Sequence, residues 1–254
     1  LKEHAEDVGL YFLSSAFSLE AFDMLNDLGV YAWKIASGEV NNIQLVKKMI
    51  RTGKPIYLST GMSNWNEIDK VVELISEGKN DYCIFQCTSM YPTPPKDWGL
   101  NIIGEIKDRY NCMVGYSDHS GNIYAALAAL SLGASLIEVH VTFHKELFGP
   151  DASSSIDFKQ LNRLVKGQKD IFESLSNKLD KNNLAKELQP MKIMFGKSIF
   201  AKVDIGKNDI LSEKNIIFKK PGSGISIDDW PEVKNKKVNR FIKSGEMIKY
   251  KDII

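Results

Sequence analysis

The sequence predicts an α/β protein built as a TIM-type (β/α)8 barrel, followed by a small β-rich domain. Three observations carry that reading. Short, nearly continuous apolar runs alternate with amphipathic segments over the first 175 or so residues, as parallel strands covered on both faces do. Polar residues gather at the carboxyl ends of all these runs, as a barrel mouth requires, whereas an open sheet concentrates them at one switch point. From residue 195 the pattern changes to short strands separated by glycine turns.

In chain order, VGLYFLSSAF reads as a strand backed by the helix SLEAFDMLNDLG. YAWKIASGE then leads into NNIQLVKKMIRTG, and KPIYLSTGM into SNWNEIDKVVELISEG. In that last helix Ile68, Val71, Val72 and Ile75 fall on one face. YCIFQCTSMYP passes through a Pro-rich loop to GLNIIGEIKDRY. CMVGYSDHS is followed by GNIYAALAALSLGAS, and LIEVHVTF by a loop and DFKQLNRLVKGQKDIFESL. Asp27-Leu28-Gly29, Thr52-Gly53 and Leu132-Gly133 supply stop signals. Six strand–helix units result, where a complete barrel takes eight and about 250 residues. The first two strands are therefore expected to be missing from this chain, which opens on Leu1 within what reads as the end of a helix. The expected organisation is a barrel domain over 1–178, a polar linker with a short helix over 179–194, and a lysine-rich β domain over 195–254.

Composition narrows the function classes. The chain has 254 residues, is 43% hydrophobic and carries a formal charge of +1. Near-neutrality points away from nucleic acid or an anionic membrane as partner. No apolar run reaches the length of a membrane span, and LKEHAEDVG lacks the hydrophobic region of a signal peptide. Cys83, Cys87 and Cys112 lie in apolar strand-like runs, so reduced, buried thiols in a cytoplasmic protein are expected. The four-residue step from Cys83 to Cys87 does not match a zinc pair.

The chemistry concentrates at the strand ends. Alternate residues of a strand share a face, which pairs Ser117 with His119 and Glu138 with His140. If these successive strands are parallel neighbours, two imidazoles face one space, either as satisfied core histidines or as metal ligands oriented by nearby carboxylates. Lys34 stands between apolar neighbours, and lysines are rarely buried unpaired. Its anion is either Glu39 or a substrate phosphate or carboxylate. Ser15, Ser37, Ser59 and Ser117 add hydroxyls around the same mouth and, with Lys34, make a phosphate cradle without a Gly-rich loop. Glu39 and Glu138 are candidate proton-transfer groups, their pKa values expected to be raised by burial; Glu138 is read rather as orienting a neighbour. Asp118 reads as holding a ring or loop. Tyr91-Pro92-Thr93-Pro94 reads as a rigid loop over the mouth, and Asp151 as within inward reach.

FLSSAFS, WKIASGE, GKPIYLSTGM, CTSMYPTP, GYSDHS, IEVHVTF and GPD, with KKPGSG in the tail, together resemble the sialic acid synthase family, whose members make nonulosonic acids such as N-acetylneuraminate. The order and spacing match along essentially the whole chain. The resemblance implies a (β/α)8 barrel followed by an antifreeze-like domain of the SAF type, a domain-swapped homodimer, and the condensation of phosphoenolpyruvate with an open-chain N-acetylhexosamine such as N-acetylmannosamine. It implies Mn2+ or Mg2+ held by His119 and His140, polarising the sugar aldehyde. Lys34, Ser15, Ser37, Ser59 and Ser117 would hold phosphoenolpyruvate, and Glu39 would handle protons. Three positions depart from the sialic acid branch: Ser15 for Thr, Ser89 for an Asn that contacts substrate, and Lys220 for an Arg that reaches the partner's sugar. Lysine cannot reproduce the guanidinium fork, so a precursor of legionaminic or pseudaminic acid is an alternative sugar. A non-catalytic carbohydrate-binding protein on the same scaffold is the alternative from another class.

Overall fold

The structure, a computed structural model, describes residues 1–254. It divides into two compact units between Asn177 and Lys178.

The first unit opens with α1 (Lys2–Asp7) and α2 (Leu19–Leu28), followed by β1 (Trp33–Ile35), α3 (Ile43–Ile50), β2 (Ile56–Ser59) and α4 (Trp65–Glu77). It continues through β3 (Tyr82–Cys87), α5 (Asn101–Tyr110), β4 (Met113–Asp118), α6 (Tyr124–Ser131) and β5 (Leu136–Val139). A short pair, β6 (Val141–Thr142) and β7 (Ile156–Asp157), precedes the long α7 (Phe158–Ser176). The five main strands are all parallel and lie in the order of the chain, β1-β2-β3-β4-β5. That order, with a helix after each strand, makes a curled half-barrel and carries every strand's carboxyl end to the same rim.

Local sequence explains the elements. Ser18 caps α2 by accepting the Ala21 N–H, and Gly29 closes it at φ 80°, a left-handed conformation that suits glycine. Asn64 and Glu67 form a reciprocal capping box at the start of α4. The face read from spacing in α4 is the buried one: Ile68, Val71, Val72 and Ile75 all join the core with Leu45, Met49, Ile56 and Ile84. Each such side chain contributes about 1.5–3 kcal/mol relative to exposure. β3 is buried along all but its first residue and β4 along all but its exposed Met113, as strands covered on both faces are.

The first expected strand is reduced to a single parallel bridge, Ser15 to Lys34. Leu10 and Tyr11 upstream are largely exposed, so an apolar run alone does not make a strand where only one side offers a partner. The sixth run, LIEVHVTF, is split: β5 pairs with β4, and β6 pairs instead with β7. His140 sits at the break, its carbonyl accepting the Ile156 N–H at 2.8 Å.

In the second unit, α8 (Lys181–Glu187) and α9 (Gln189–Phe195) replace the single short helix expected. An antiparallel pair, β8 (Ser198–Ala201) and β9 (Ile216–Lys219), follows, with α10 (Trp230–Val233) beyond it. Regular strand is scarcer than the glycine spacing suggested, the rest of the pairing being isolated bridges such as Ile205 to Ile242 and Val238 to Ile253. The core is small and aliphatic, built on Ile199, Leu211, Ile225, Val238, Ile242 and Ile248. No helix is long and apolar enough to cross a membrane. All three thiols are unpaired; burial pushes Cys83 up to about 12, which keeps it inert at neutral pH.

Candidate active site

Register builds the site. β3, β4 and β5 align Cys87 with Ser117 and Ser117 with Glu138. Two residues on from Ser117 and Glu138, just past the ends of β4 and β5, stand His119 and His140, on the same side as that row. Their ring centroids lie 5.1 Å apart at 78°. The two imidazoles that the sequence placed at successive strand ends therefore do meet.

They open on a cavity of about 530 Å3 at the rim of the half-barrel. Ser15, Lys34, Ser37 and Ser59 line it from the first strands, and Ser89, Ser117 and Glu138 from the later ones. Lys34 reaches across the bowl, its Nζ 2.9 Å from Oε1 and 2.8 Å from Oε2 of Glu138. Ser117 Oγ donates to the same Oε1 at 2.7 Å. This corrects two expectations. The lysine's partner is Glu138, not Glu39, because strand curl brings β5 opposite β1. The Glu138 pKa is lowered, not raised: burial pushes it up, but the Lys34 ammonium and the Ser117 hydroxyl outweigh that.

Glu39 belongs to the 3-10 turn just past β1, half-buried, its Oε2 accepting from Asn42 Nδ2 at 2.8 Å. It stands two residues beyond Ser37 in the same turn and outside the cavity lining. Lys220 lies in the second unit with its ammonium 5.0 Å from the centre of the Phe195 ring. Asp118 accepts from Ser120 N–H at 2.8 Å and from its hydroxyl at 3.1 Å, and so fixes the turn after β4.

Ser59 Oγ is buried and has no hydrogen-bond partner. An orphaned hydroxyl at a cavity wall costs free energy unless something else satisfies it. Beside it, Ser37 Oγ accepts the Gly61 N–H at 3.0 Å. A Cβ at Gly61 would meet Ser89 Oγ and come within 2.8 Å of Cys87 Sγ and 2.9 Å of Ser37 Oγ. Glycine is what keeps this floor open. Tyr91, read from sequence as part of a loop over the mouth, does line the cavity; Gly61 and Cys87 were not singled out for the site, since nothing in their spacing distinguishes them from turn and core residues.

Two imidazoles suit a divalent ion. His119 Nδ1 donates to the Thr88 carbonyl at 2.9 Å, and His140 Nδ1 stands 3.4 Å from the Asp151 carboxylate. The His119 ring is thereby oriented by a hydrogen bond through Nδ1, and Nδ1 of His140 faces a carboxylate, which leaves Nε2 of each as the nitrogen free to ligate. Burial, with His140 alongside, holds the His119 pKa down against the pull of the Thr88 carbonyl, which favours the neutral, ligating form. No third His, Cys, Asp or Glu completes a metal-holding group, so further coordination positions would fall to water or substrate oxygen, as Mg2+ and Mn2+ accept.

A parallel half-barrel with a cation, clustered hydroxyls and paired imidazoles at its carboxyl rim defines an enzyme scaffold of the (β/α) class. The chain belongs to the NeuB family, which matches residues 1–180, and the SAF domain matches residues 196–254. It is similar to the N,N'-diacetyllegionaminic acid synthase of Campylobacter jejuni, 35% identical over 97% of this chain and 74% of that protein. It is similar also to the pseudaminic acid synthase of the same species, 33% identical over 98% of this chain and 72% of that one. Among solved structures, the N-acetylneuraminic acid synthetase of Leptospira borgpetersenii aligns with a TM-score of 0.70 at 31% identity, over 75% of this chain and 67% of that one. With these synthases the chain is an enzyme, a transferase that forms carbon–carbon bonds.

Proposed function

We propose that the chain is a nonulosonic acid synthase that joins phosphoenolpyruvate to an open-chain N-acetylhexosamine and releases phosphate. The observation that carries the reading is the convergence on one cavity of the His119–His140 pair, the Lys34–Glu138–Ser117 cluster and the orphaned Ser59 hydroxyl. In this reading the curled sheet is the greater part of an eight-unit barrel, and the SAF unit of a domain-swapped partner covers the mouth and brings Lys220 to the sugar.

The balanced reaction is an attack of phosphoenolpyruvate C3 on the sugar aldehyde carbon, addition of water at C2, and departure of phosphate with cleavage of its C–O bond. His119 and His140 would hold Mn2+ or Mg2+, which supplies Lewis-acid polarisation of the aldehyde when bound. Lys34, Ser15, Ser37, Ser59 and Ser117 would hold the phosphate and carboxylate of phosphoenolpyruvate by charge-assisted bonds, and Ser89 would contact sugar or phosphoenolpyruvate. Glu138 fixes the Lys34 ammonium so that the anion meets an oriented cation. Glu39 would accept a proton from water or a sugar hydroxyl, after release of its bond to Asn42.

A modified sugar, the precursor of legionaminic or pseudaminic acid, is the second reading. It is favoured by Lys220 and by the names of the two relatives. The test is phosphate release from phosphoenolpyruvate against a panel of N-acetylhexosamines and their 2,4-diacetamido analogues, with and without Mn2+. Release with one sugar, abolished by chelation, is expected. Absence of release with every sugar, together with sugar binding unaltered by His119→Ala, would favour the carbohydrate-binding alternative.

A further inference from the structure

We propose that the loop between β3 and α5, residues 88–98, is the positioning element of His119, and that Thr93 is the residue that locks it. The metal arm of this inference rests on the synthase reading above; the tautomer arm does not.

The loop touches His119 at three points. The Thr88 carbonyl accepts Nδ1–H at 2.9 Å. The Thr93 N–H donates to the His119 carbonyl at 3.0 Å. The Tyr91 ring stacks on the imidazole with centroids 4.2 Å apart and planes 28° apart, and meets His140 edge-on at 5.9 Å. Thr93 ties these together. Its hydroxyl donates to the Met90 carbonyl at 2.7 Å and lies 3.3 Å from the Thr88 carbonyl, the same oxygen that holds the ring. Its own carbonyl accepts the Trp98 indole N–H at 3.3 Å. Thr93 is 5% exposed, so no water competes freely for that hydroxyl.

The chemical consequence is at the other nitrogen. A neutral imidazole carries one proton, and whichever nitrogen donates leaves the other with a lone pair. The Thr88 carbonyl can only accept, so it keeps the proton on Nδ1 and presents the Nε2 lone pair to the mouth. Loosening Thr88, or removing the stacked Tyr91, lets the ring rotate or the proton move, and a fraction of molecules then offers the mouth an N–H. Thr93 is thus a positioning residue that acts through Thr88.

The experiment compares Thr93→Val, which keeps shape and the backbone N–H but loses the hydroxyl, with Thr93→Ser, which keeps it. Mn2+ affinity is read from the electron paramagnetic resonance signal of free Mn2+, and the His119 tautomer from side-chain 15N shifts in the metal-free protein. Thr93→Val is expected to show mixed tautomers and about tenfold weaker Mn2+ binding, and Thr93→Ser to return close to the parent. Unchanged tautomer and affinity in Thr93→Val would overturn the proposal while leaving the synthase reading intact. A tautomer that shifts in Thr93→Val, with no Mn2+ bound by the parent, would uphold the positioning role and defeat the metal reading. Should Thr93→Val fail to fold, Tyr91→Leu at the half-exposed ring carries the test. Weaker Mn2+ binding or a mixed tautomer supports the proposal there, and parental values for both overturn it.

Discussion

In the mouth of the half-barrel, Lys34 meets both oxygens of Glu138 and Ser117 adds a third bond. In the 178–254 unit, Arg240 meets Asp252 at 2.7 Å and Glu246 at 2.6 Å. The parts are alike, but the surroundings differ. Around Arg240 the remaining bonds close on nearby backbone. Asp252 accepts the Lys249 N–H, Glu246 accepts the Lys243 N–H, and the guanidinium donates to the Phe241 carbonyl. That cluster staples the end of the chain to the turn before it. Around Lys34 the bonds border a cavity whose wall carries a hydroxyl without a partner. A charged cluster becomes a site when its geometry is fixed but its bonding capacity is not exhausted.

The largest effect expected on this contrast is loss of His119 or His140. Replacing either by Ala should lower phosphate release about a thousandfold, since several kcal/mol of Lewis-acid stabilisation is at stake, while circular dichroism stays unchanged. Lys34→Met comes next, with about a hundredfold loss in kcat/KM for phosphoenolpyruvate, the scale of a charged hydrogen bond removed from a site. An unaltered value there would reduce the mouth cluster to another staple. Gly61→Ala puts a methyl group against Ser89, Cys87 and Ser37; isothermal titration should show phosphoenolpyruvate binding about tenfold weaker, the cost of modest overpacking.

The tail cluster should answer in stability and not in turnover. The Arg240 hydrogen bond, aided by the Lys249 N–H, holds the Asp252 pKa below the ordinary carboxylate range despite burial. Its stabilisation is therefore fully present above the unfolded carboxylate value and is lost as pH falls through the lower folded value. Asp252→Asn should lower the melting midpoint by several degrees at neutral pH and flatten the acid limb below about pH 4, with phosphate release unchanged. A melting curve that keeps its acid limb in the variant would remove the staple from the comparison. Glu39→Gln checks the proton-accepting role by turnover alone: kcat should fall about a hundredfold, the lower end for a general base, and an unaltered kcat would leave Glu39 as no more than the partner of Asn42.

Much of the fold was legible because periodicity reports burial. The continuous runs became β1 to β5, and the face read in α4 is the buried face. The site was legible where strand parity applied: Ser117 with His119, and Glu138 with His140, needed only alternation and one assumption about neighbours. What failed was partner choice. Lys34 and Glu138 are 104 residues apart in the chain, whereas Glu39 is close in sequence, and proximity along the chain misdirected the pairing. The strand expected before Ser15 failed for a related reason, since a strand is made by its neighbours as much as by its residues.

The sequence by itself determined the alternation of strands and helices, the faces they bury, and the residue types at each strand's carboxyl end, because each of these depends on periods of a few residues. Only the tertiary structure decided that Lys34 answers to Glu138, that Thr93 and Tyr91 hold His119, and that Gly61 keeps the floor open. Those relations depend on the curl of the sheet and the path of a loop through space, which local periodicity does not encode.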